Sequence, residues 1–104
     1  MAYDPRARFE WDLAKAAANF RKHGVSFEEA RGLLSGDGPY IERSDGEHGG
    51  EEEERFVVLG FGRRGLITVA FQDRGEGVVR IISARRAVAS EIRDFLRIVR
   101  RMER

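Results

Sequence analysis

The chain has 104 residues, of which 41% are hydrophobic and 36% charged, and this predicts a single domain over residues 1–104 with a modest core. It contains no cysteine, which excludes disulfide frameworks and thiolate metal sites. The sequence has no apolar run long enough to cross a bilayer, and its first residues lack the apolar centre of a signal peptide. We therefore expect a cytoplasmic protein with no membrane partner.

The net charge is only +1, but the charges are segregated along the chain. Residues 37–54 carry eight acidic residues against one arginine, whereas residues 80–104 carry eight arginines against three acidic residues. A guanidinium stays ionised and can bind phosphate through two parallel N–H groups. The basic C-terminal third therefore favours a polyanionic partner, although many solvated surfaces are arginine-rich as well.

The first third of the chain predicts a short strand followed by two helices. The strand is the weakly alternating stretch at residues 8–11. Asp12 is the expected N-cap of the first helix, which ends at Gly24. Ser26 and Glu29 match the capping box of the second helix.

The middle of the chain predicts an acidic loop and then an antiparallel meander. Residues 36–54 are glycine-rich and acidic, which indicates a flexible loop with at most an edge strand over residues 40–43. Three strand-like runs follow, separated by glycine-containing turns: RFVVLGF, LITVAF and VVRIISA. In the second run the bulky Ile67, Val69 and Phe71 share the face that we expect under the helices.

The C-terminal residues predict a basic amphipathic helix over about residues 88–103. Apolar residues recur at three- and four-residue steps and form one stripe: Val88, Ile92, Phe95, Leu96, Val99 and Met102. Arginines recur in the same way on another face: Arg93, Arg97, Arg100 and Arg104. The fold class is therefore α+β, with two N-terminal helices and the C-terminal helix packed on one side of a small antiparallel sheet. That sheet consists of the three-strand meander and the short N-terminal strand.

Arg80 is out of place in a core strand, since a buried guanidinium is costly unless it is paired. If its apolar neighbours face the helices, alternation places Arg80 on the open face of the sheet, next to Thr68 or Ala70. Arg55, at the start of the first meander strand, can reach the same face. The alternative is that Arg80 extends to an edge of the sheet or pairs with a glutamate of the acidic loop.

Three blocks of the sequence resemble the BrnT family of type II toxin components. In chain order they are FEWDLAKAAANFRKHGVSFEEA, DGEHGGEEEERFVVLG and VRIISARRA, and the resemblance runs from residue 9 to about residue 93. It implies a RelE-like fold and a ribonuclease that arrests translation by cutting RNA, free or on the ribosome. It also implies a BrnA-like antitoxin, a ribbon-helix-helix protein that neutralises the toxin and contacts the operator DNA.

Metal-independent RNA cleavage needs a base, a cation beside the phosphorane-like transition state and an acid, but no cofactor. Arg80, and after it Arg55, is the expected cation. His23 is the first acid–base candidate because imidazole titrates near neutrality, although the end of a helix before Gly24 explains its position equally well. Glu54 is the second candidate, unless it only pairs with Arg55.

The remaining polar candidates are contact residues. Those expected to bind RNA are Lys22, Arg63, Arg64, Arg85 and Arg86. Those expected to bind the antitoxin, unless they are only a solvated face, are Arg93, Arg97 and Arg100. His48, with Asp45 and Glu47, is too weak a pattern for a metal site, since one histidine in a flexible loop fixes no geometry. No metal is expected.

Two functions fit the sequence. One is a ribonuclease toxin; the other is a module without catalytic activity that binds nucleic acid or the antitoxin and acts as a co-repressor. Arginine richness fits both, because phosphate contacts give affinity without catalysis. They differ in that Arg80→Ala should abolish cleavage in a ribonuclease, whereas a binding module should show graded losses over many arginines.

Overall fold

The computed structural model describes residues 6–44 and 55–103. The elements in chain order are β1 (Arg8–Glu10), α1 (Leu13–His23), α2 (Phe27–Ser35), β2 (Tyr40–Ser44), β3 (Arg55–Gly62), β4 (Gly65–Gly75), β5 (Val78–Arg86) and α3 (Ala89–Met102). The strands form one sheet in the order β1-β5-β4-β3-β2. The α+β class is confirmed, and the edge strand expected near residues 40–43 is present as β2.

The sheet is mixed, so the expectation of an antiparallel sheet is wrong for one strand. β1 pairs in parallel with β5, while all other neighbours are antiparallel. Parallel neighbours need a long crossover connection, and the segment from α1 through β4 supplies it.

The helix ends are built as their sequence signals indicate. The Asp12 side chain accepts a hydrogen bond from the Lys15 backbone N–H at 3.0 Å. This bond, more than any other interaction, holds the pKa of the Asp12 carboxyl below its usual value. Gly24 ends α1 with a positive φ of 71°. Ser26 caps α2 by accepting from the Glu29 N–H at 3.0 Å.

The core lies between α2 and one face of the sheet. Val25, in the connection between α1 and α2, also belongs to it. Its sheet residues include the expected Ile67, Val69 and Phe71, which are fully buried. On the helix side they meet Phe27 and Leu34 of α2. Alternation along β4 therefore assigns the faces of the sheet as predicted.

The helix α3 lies on the opposite face of the sheet, so the expectation that all three helices cover one side is wrong. Phe95 of α3 packs edge-on against Phe61 with ring centroids 5.4 Å apart, and Glu91 of α3 bonds Thr68. Phe61 and Thr68 point away from the core because they alternate with core residues in their strands. The reason is the short connection after β5, which keeps α3 on the side to which Arg85 points, where Arg85 pairs with Glu91.

The apolar stripe of α3 is mostly not buried. Phe95 is the buried residue of this helix, whereas Ile92, Leu96 and Met102 are 38%, 42% and 66% exposed. The expectation that the stripe packs on the sheet is therefore correct for Phe95 and wrong for Ile92, Leu96 and Met102.

Asn19 completes the free edge of β5. β1 covers only the first three residues of β5, and farther along the edge the buried Asn19 side chain takes the place of a strand. Its Nδ2 donates to the Ala84 carbonyl at 2.8 Å and to the Val25 carbonyl at 3.0 Å, and its Oδ1 accepts from the Ala84 N–H at 3.1 Å. The backbone groups of Ala84 are thus paired without a neighbouring strand.

Candidate functional site

A row of polar residues crosses four strands on the face of the sheet opposite α1 and α2. Arg55 of β3 pairs with Gln72 of β4, Gln72 with Arg80 of β5, and Arg80 with Glu10 of β1. We call these four residues the cross-strand row. On β4, Gln72 of the row is four residues from Thr68, which bonds Glu91 of α3. This spacing corresponds to about 13 Å along the strand. The structure therefore places Arg80 and Arg55 on the same face of the sheet, and the described helices do not reach this part of it.

The neighbour of Arg80 differs from the expected one. Arg80 lies opposite Gln72, while Thr68 faces Arg85. The expected positions beside Thr68 or Ala70 are therefore wrong. β4 extends to Gly75, which pairs with Val78, and the position of this tight turn sets a register that alternation along the strands does not fix.

Arg80 is held in place by a carboxylate. Its Nη1 donates to Glu10 Oε2 at 2.8 Å, and the Nε of Arg74 lies 4.0 Å from the same oxygen. The side chains of Arg80 and Glu10 are 32% and 38% exposed, so this pair contributes at most about 1 kcal/mol to stability. A guanidinium has five N–H donors, and this hydrogen bond uses one of them. The pair orients the cation and leaves it able to bind an anion.

Arg55 lies two strands from Arg80, at a Cα separation of about 10 Å. Its Nε is buried and has no hydrogen-bond partner within residues 6–44 and 55–103. A buried donor without a partner carries a desolvation cost. Arg55 and Arg80 thus form a two-cation platform with Gln72 between them.

Glu10 and Gln72 are site residues that the sequence reasoning missed. Alternation places Glu10 on the face opposite Phe9, which packs against the core. The missing information was the parallel pairing of β1 with β5, which brings Glu10 to Arg80 across 70 residues of sequence. Gln72 comes directly after the predicted strand LITVAF and was assigned to the turn, whereas β4 continues to Gly75 and its pairing places Gln72 in the row.

His23 lies at the other end of β5 from Arg80. It is the last residue of α1 and precedes Gly24, whose carbonyl accepts from Arg86 Nη2 at 3.2 Å. Arg86 follows Arg80 by six residues, which is about 20 Å along a strand. The structure therefore brings His23 close to Arg86 and not to Arg80. Lys22 is exposed beside it.

Arg85 and Arg86 point to opposite faces of the sheet, and each bonds a carboxylate. Arg85 donates to both oxygens of Glu91, at 2.8 and 2.9 Å, on the α3 side. These bonds raise the pKa of Arg85 and lower the pKa of Glu91. Arg86 lies 3.4 Å from the buried carboxylate of Glu29 on the α2 side. The guanidinium groups of both residues are part of the contacts between sheet and helices.

The other candidate residues lie apart from the cross-strand row. Arg63 and Arg64 are exposed at the β3–β4 turn, where the Arg63 N–H donates to Glu29 at 2.8 Å. The exposed arginines of α3 are Arg93, Arg97, Arg100 and Arg101.

Several sequence candidates lie outside the residues that the structure describes: Asp45, Glu47, His48 and Glu54. Within the described ranges, no three histidine, aspartate or glutamate side chains are grouped as metal ligands would be. No helix of the described part is long and apolar enough to cross a membrane.

Comparisons with known proteins match this architecture. The family model described as the ribonuclease toxin BrnT of type II toxin–antitoxin systems matches residues 11–91. The crystal structure of the Brucella abortus ribonuclease toxin BrnT is 24% identical, with a TM-score of 0.56, and the match covers 79% of this chain and 97% of that one. At this identity the likeness shows the fold. No curated protein matches the chain. Since the family model spans most of the sequence, the chain belongs to the BrnT family of type II ribonuclease toxins.

Proposed function

We propose that this chain is an endoribonuclease that cleaves RNA without a metal ion and thereby arrests translation. The observation that carries this proposal is the cross-strand row, in which two arginines and a carboxylate share the face of the sheet opposite α1 and α2. Membership of a ribonuclease toxin family supports the same reaction class. We also propose a ribbon-helix-helix antitoxin as the partner that neutralises it.

Arg80 and Arg55 supply the cations of the proposed reaction. The RNA 2′-hydroxyl gives its proton to a base as its oxygen attacks the adjacent phosphorus, and a 2′,3′-cyclic phosphate forms. The bond to the 5′-oxygen of the next nucleotide breaks, and this oxygen takes up a proton from water. Negative charge builds up on the phosphoryl oxygens as this happens. Because Glu10 already orients the Arg80 guanidinium, this cation needs little rearrangement to stabilise that charge.

Glu10 is the base that the geometry favours. Its carboxylate lies 2.8 Å from Arg80 Nη1, so a phosphate bound at Arg80 brings its neighbouring 2′-hydroxyl within reach of Glu10. His23, the first candidate from the sequence, lies near Arg86 at the far end of β5. In this proposal His23 therefore has no role at the reacting phosphate.

The exposed basic residues outside the row extend the RNA contact. Arg63, Arg64 and Lys22 are exposed and can bind backbone phosphates. Arg85 and Arg86 act instead through the fold, since each bonds a glutamate of a packed helix.

The test uses purified protein without its partner, long RNA and excess EDTA, with products separated on a gel. We expect the wild type to cut the RNA and leave 2′,3′-cyclic phosphate ends. Arg80→Ala and Glu10→Gln should lower the cleavage rate by about two orders of magnitude or more, as expected for a transition-state contact and a general base. Arg21→Ala is the matched control, because Arg21 is an exposed arginine of α1 outside the row.

Each result decides between the two functions. Cleavage by Arg80→Ala at the wild-type rate would contradict the role of the row. If RNA stays intact in every lane, the same gel is repeated with translating ribosomes. Intact messenger RNA there as well, with binding that falls in small salt-dependent steps over many arginine variants, would favour the co-repressor module without activity.

A further inference from the structure

We propose that the outward face of α3 docks an acidic amphipathic helix of a partner protein. The proposal rests on the proposed function in one respect: a toxin that is held inactive has a protein partner. It names the chemistry of the partner segment and the surface on this chain that receives it.

The surface has an apolar part that the fold leaves uncovered. Ile92 and Leu96 are one helical turn apart on α3 and are 38% and 42% exposed. Phe61 lies beside the helix, 52% exposed, with its edge against the buried Phe95 ring. Ile92 and Leu96 form an apolar strip along the helix, which is typical of a protein-binding surface when it has a charged rim.

The rim of this strip is basic. Leu96 lies in a shallow depression whose other lining residues are arginines: Arg93, Arg97, Arg100 and Arg101. Asp94 forms an i,i+3 pair with Arg97 at 3.1 Å and offsets one of these charges. A partner must therefore bring apolar side chains for the strip and carboxylates for the rim. A second copy of this chain does not fit, because the arginines of two α3 helices would face each other.

The partner segment should be helical. A strand docked on α3 would find no sheet edge there, and its inner N–H and C=O groups would lose water without gaining partners. A helix satisfies its own backbone and presents side chains at three- and four-residue steps, which match the spacing of Ile92 and Leu96.

RNA and a lipid surface fit this face less well. Arginines alone would serve for phosphate contacts, but exposed Ile92 and Leu96 gain nothing from a sugar-phosphate backbone. A membrane-surface helix buries a broad apolar face rich in bulky residues, whereas the one aromatic residue of α3, Phe95, is already packed on Phe61.

The experiment measures binding of a fluorescent peptide to the full chain by anisotropy. The probe is a peptide of roughly 20 residues, long enough to form a helix, with leucines on one face and glutamates beside them. A second peptide has the same composition with the leucines spread around the helix. We expect Leu96→Asp to weaken binding of the first peptide by about tenfold or more, and Arg100→Glu to weaken it to a similar degree. Leu13→Asp and Arg21→Glu are the matched controls, since Leu13 is 80% exposed and Arg21 is exposed, both on α1.

The competing partners are measured with the same variants. Equal binding of the two peptides, or no binding of the first, would overturn the proposal. The proposal would also be overturned if the chain bound anionic lipid vesicles but not the peptide, and if Leu96→Asp abolished the binding to vesicles. Displacement of the peptide by RNA with no effect of Leu96→Asp would assign the face to RNA instead. Leu96→Asp should still cleave RNA. If the wild type binds the peptide as expected but does not cleave RNA, the proposed ribonuclease activity is refuted and the proposed docking surface is not.

Discussion

Replacing Asn19 should be among the more damaging single substitutions in this protein. Its side chain makes three hydrogen bonds to the backbone at 2.8–3.1 Å, two to Ala84 and one to Val25. Asn19→Ala leaves three backbone groups without partners at a buried position. One such group costs about 1–3 kcal/mol, and the three are not independent because water can reach part of the opened edge. We therefore expect a loss of about 2–4 kcal/mol, a large share of the roughly 5–15 kcal/mol of a typical domain.

Urea unfolding at neutral pH measures this loss in free energy of unfolding. Asn19→Leu separates hydrogen bonding from volume, since it fills the space and still leaves the backbone groups unpaired; it should lose nearly as much as Asn19→Ala. Arg21→Ala, at an exposed position of the same helix, should change stability by less than about 0.5 kcal/mol. Amide exchange at Ala84 should accelerate in both Asn19 variants. If Asn19→Ala is no less stable than Arg21→Ala, the side chain does not substitute for a strand.

Two further predictions concern stability. The hydrogen bonds from Arg85 lower the pKa of Glu91 from its usual 4.5, so its carboxylate stabilises the fold above that value and the contribution is lost as the pH falls through the lowered pKa. Urea unfolding from about pH 5 down to about pH 3 should therefore show a smaller acid-induced loss in Glu91→Gln than in the wild type, and equal losses would contradict the role of this pair. Gly60→Ala would place a methyl group 2.5 Å from Leu33 Cδ1 and should cost about 1–3 kcal/mol, whereas Gly38→Ala has open space around it and should be tolerated; equal melting temperatures would argue against the close approach.

Local chemistry was readable from the sequence. Asp12 and Ser26 cap their helices because a short polar side chain before a helical run has few better hydrogen-bond partners than the free N–H groups. Gly24 ends α1 because it adopts a positive φ without strain. Alternation along β4 identified the core face, since a one-residue error would have exposed Phe71.

Non-local geometry was not readable. The partner strand of β1 depends on which edge of the sheet the crossover reaches. The residues of β1 do not determine this edge, so the sequence reasoning missed Glu10. The side taken by α3 depends on the exit direction of β5 and on the Arg85–Glu91 pair, whose members are six residues apart across the connection. The amphipathic pattern of α3 predicts a helix correctly, but it does not distinguish apolar residues that pack on the sheet from apolar residues that stay exposed on the helix surface.

The parallel pairing of β1 with β5 also sets the order in which the protein can mature. Glu10 meets Arg80 across 70 residues, and Asn19 meets Ala84 across 65, so neither contact can form until β5 has left the ribosome. Such long-range contacts form late in folding because the loop between them must close first. A nascent chain that carries β1, α1 and α2 therefore has no assembled cross-strand row. If the row is the cleavage site, a fragment whose synthesis stops before β5 lacks Arg80 and should not cleave RNA.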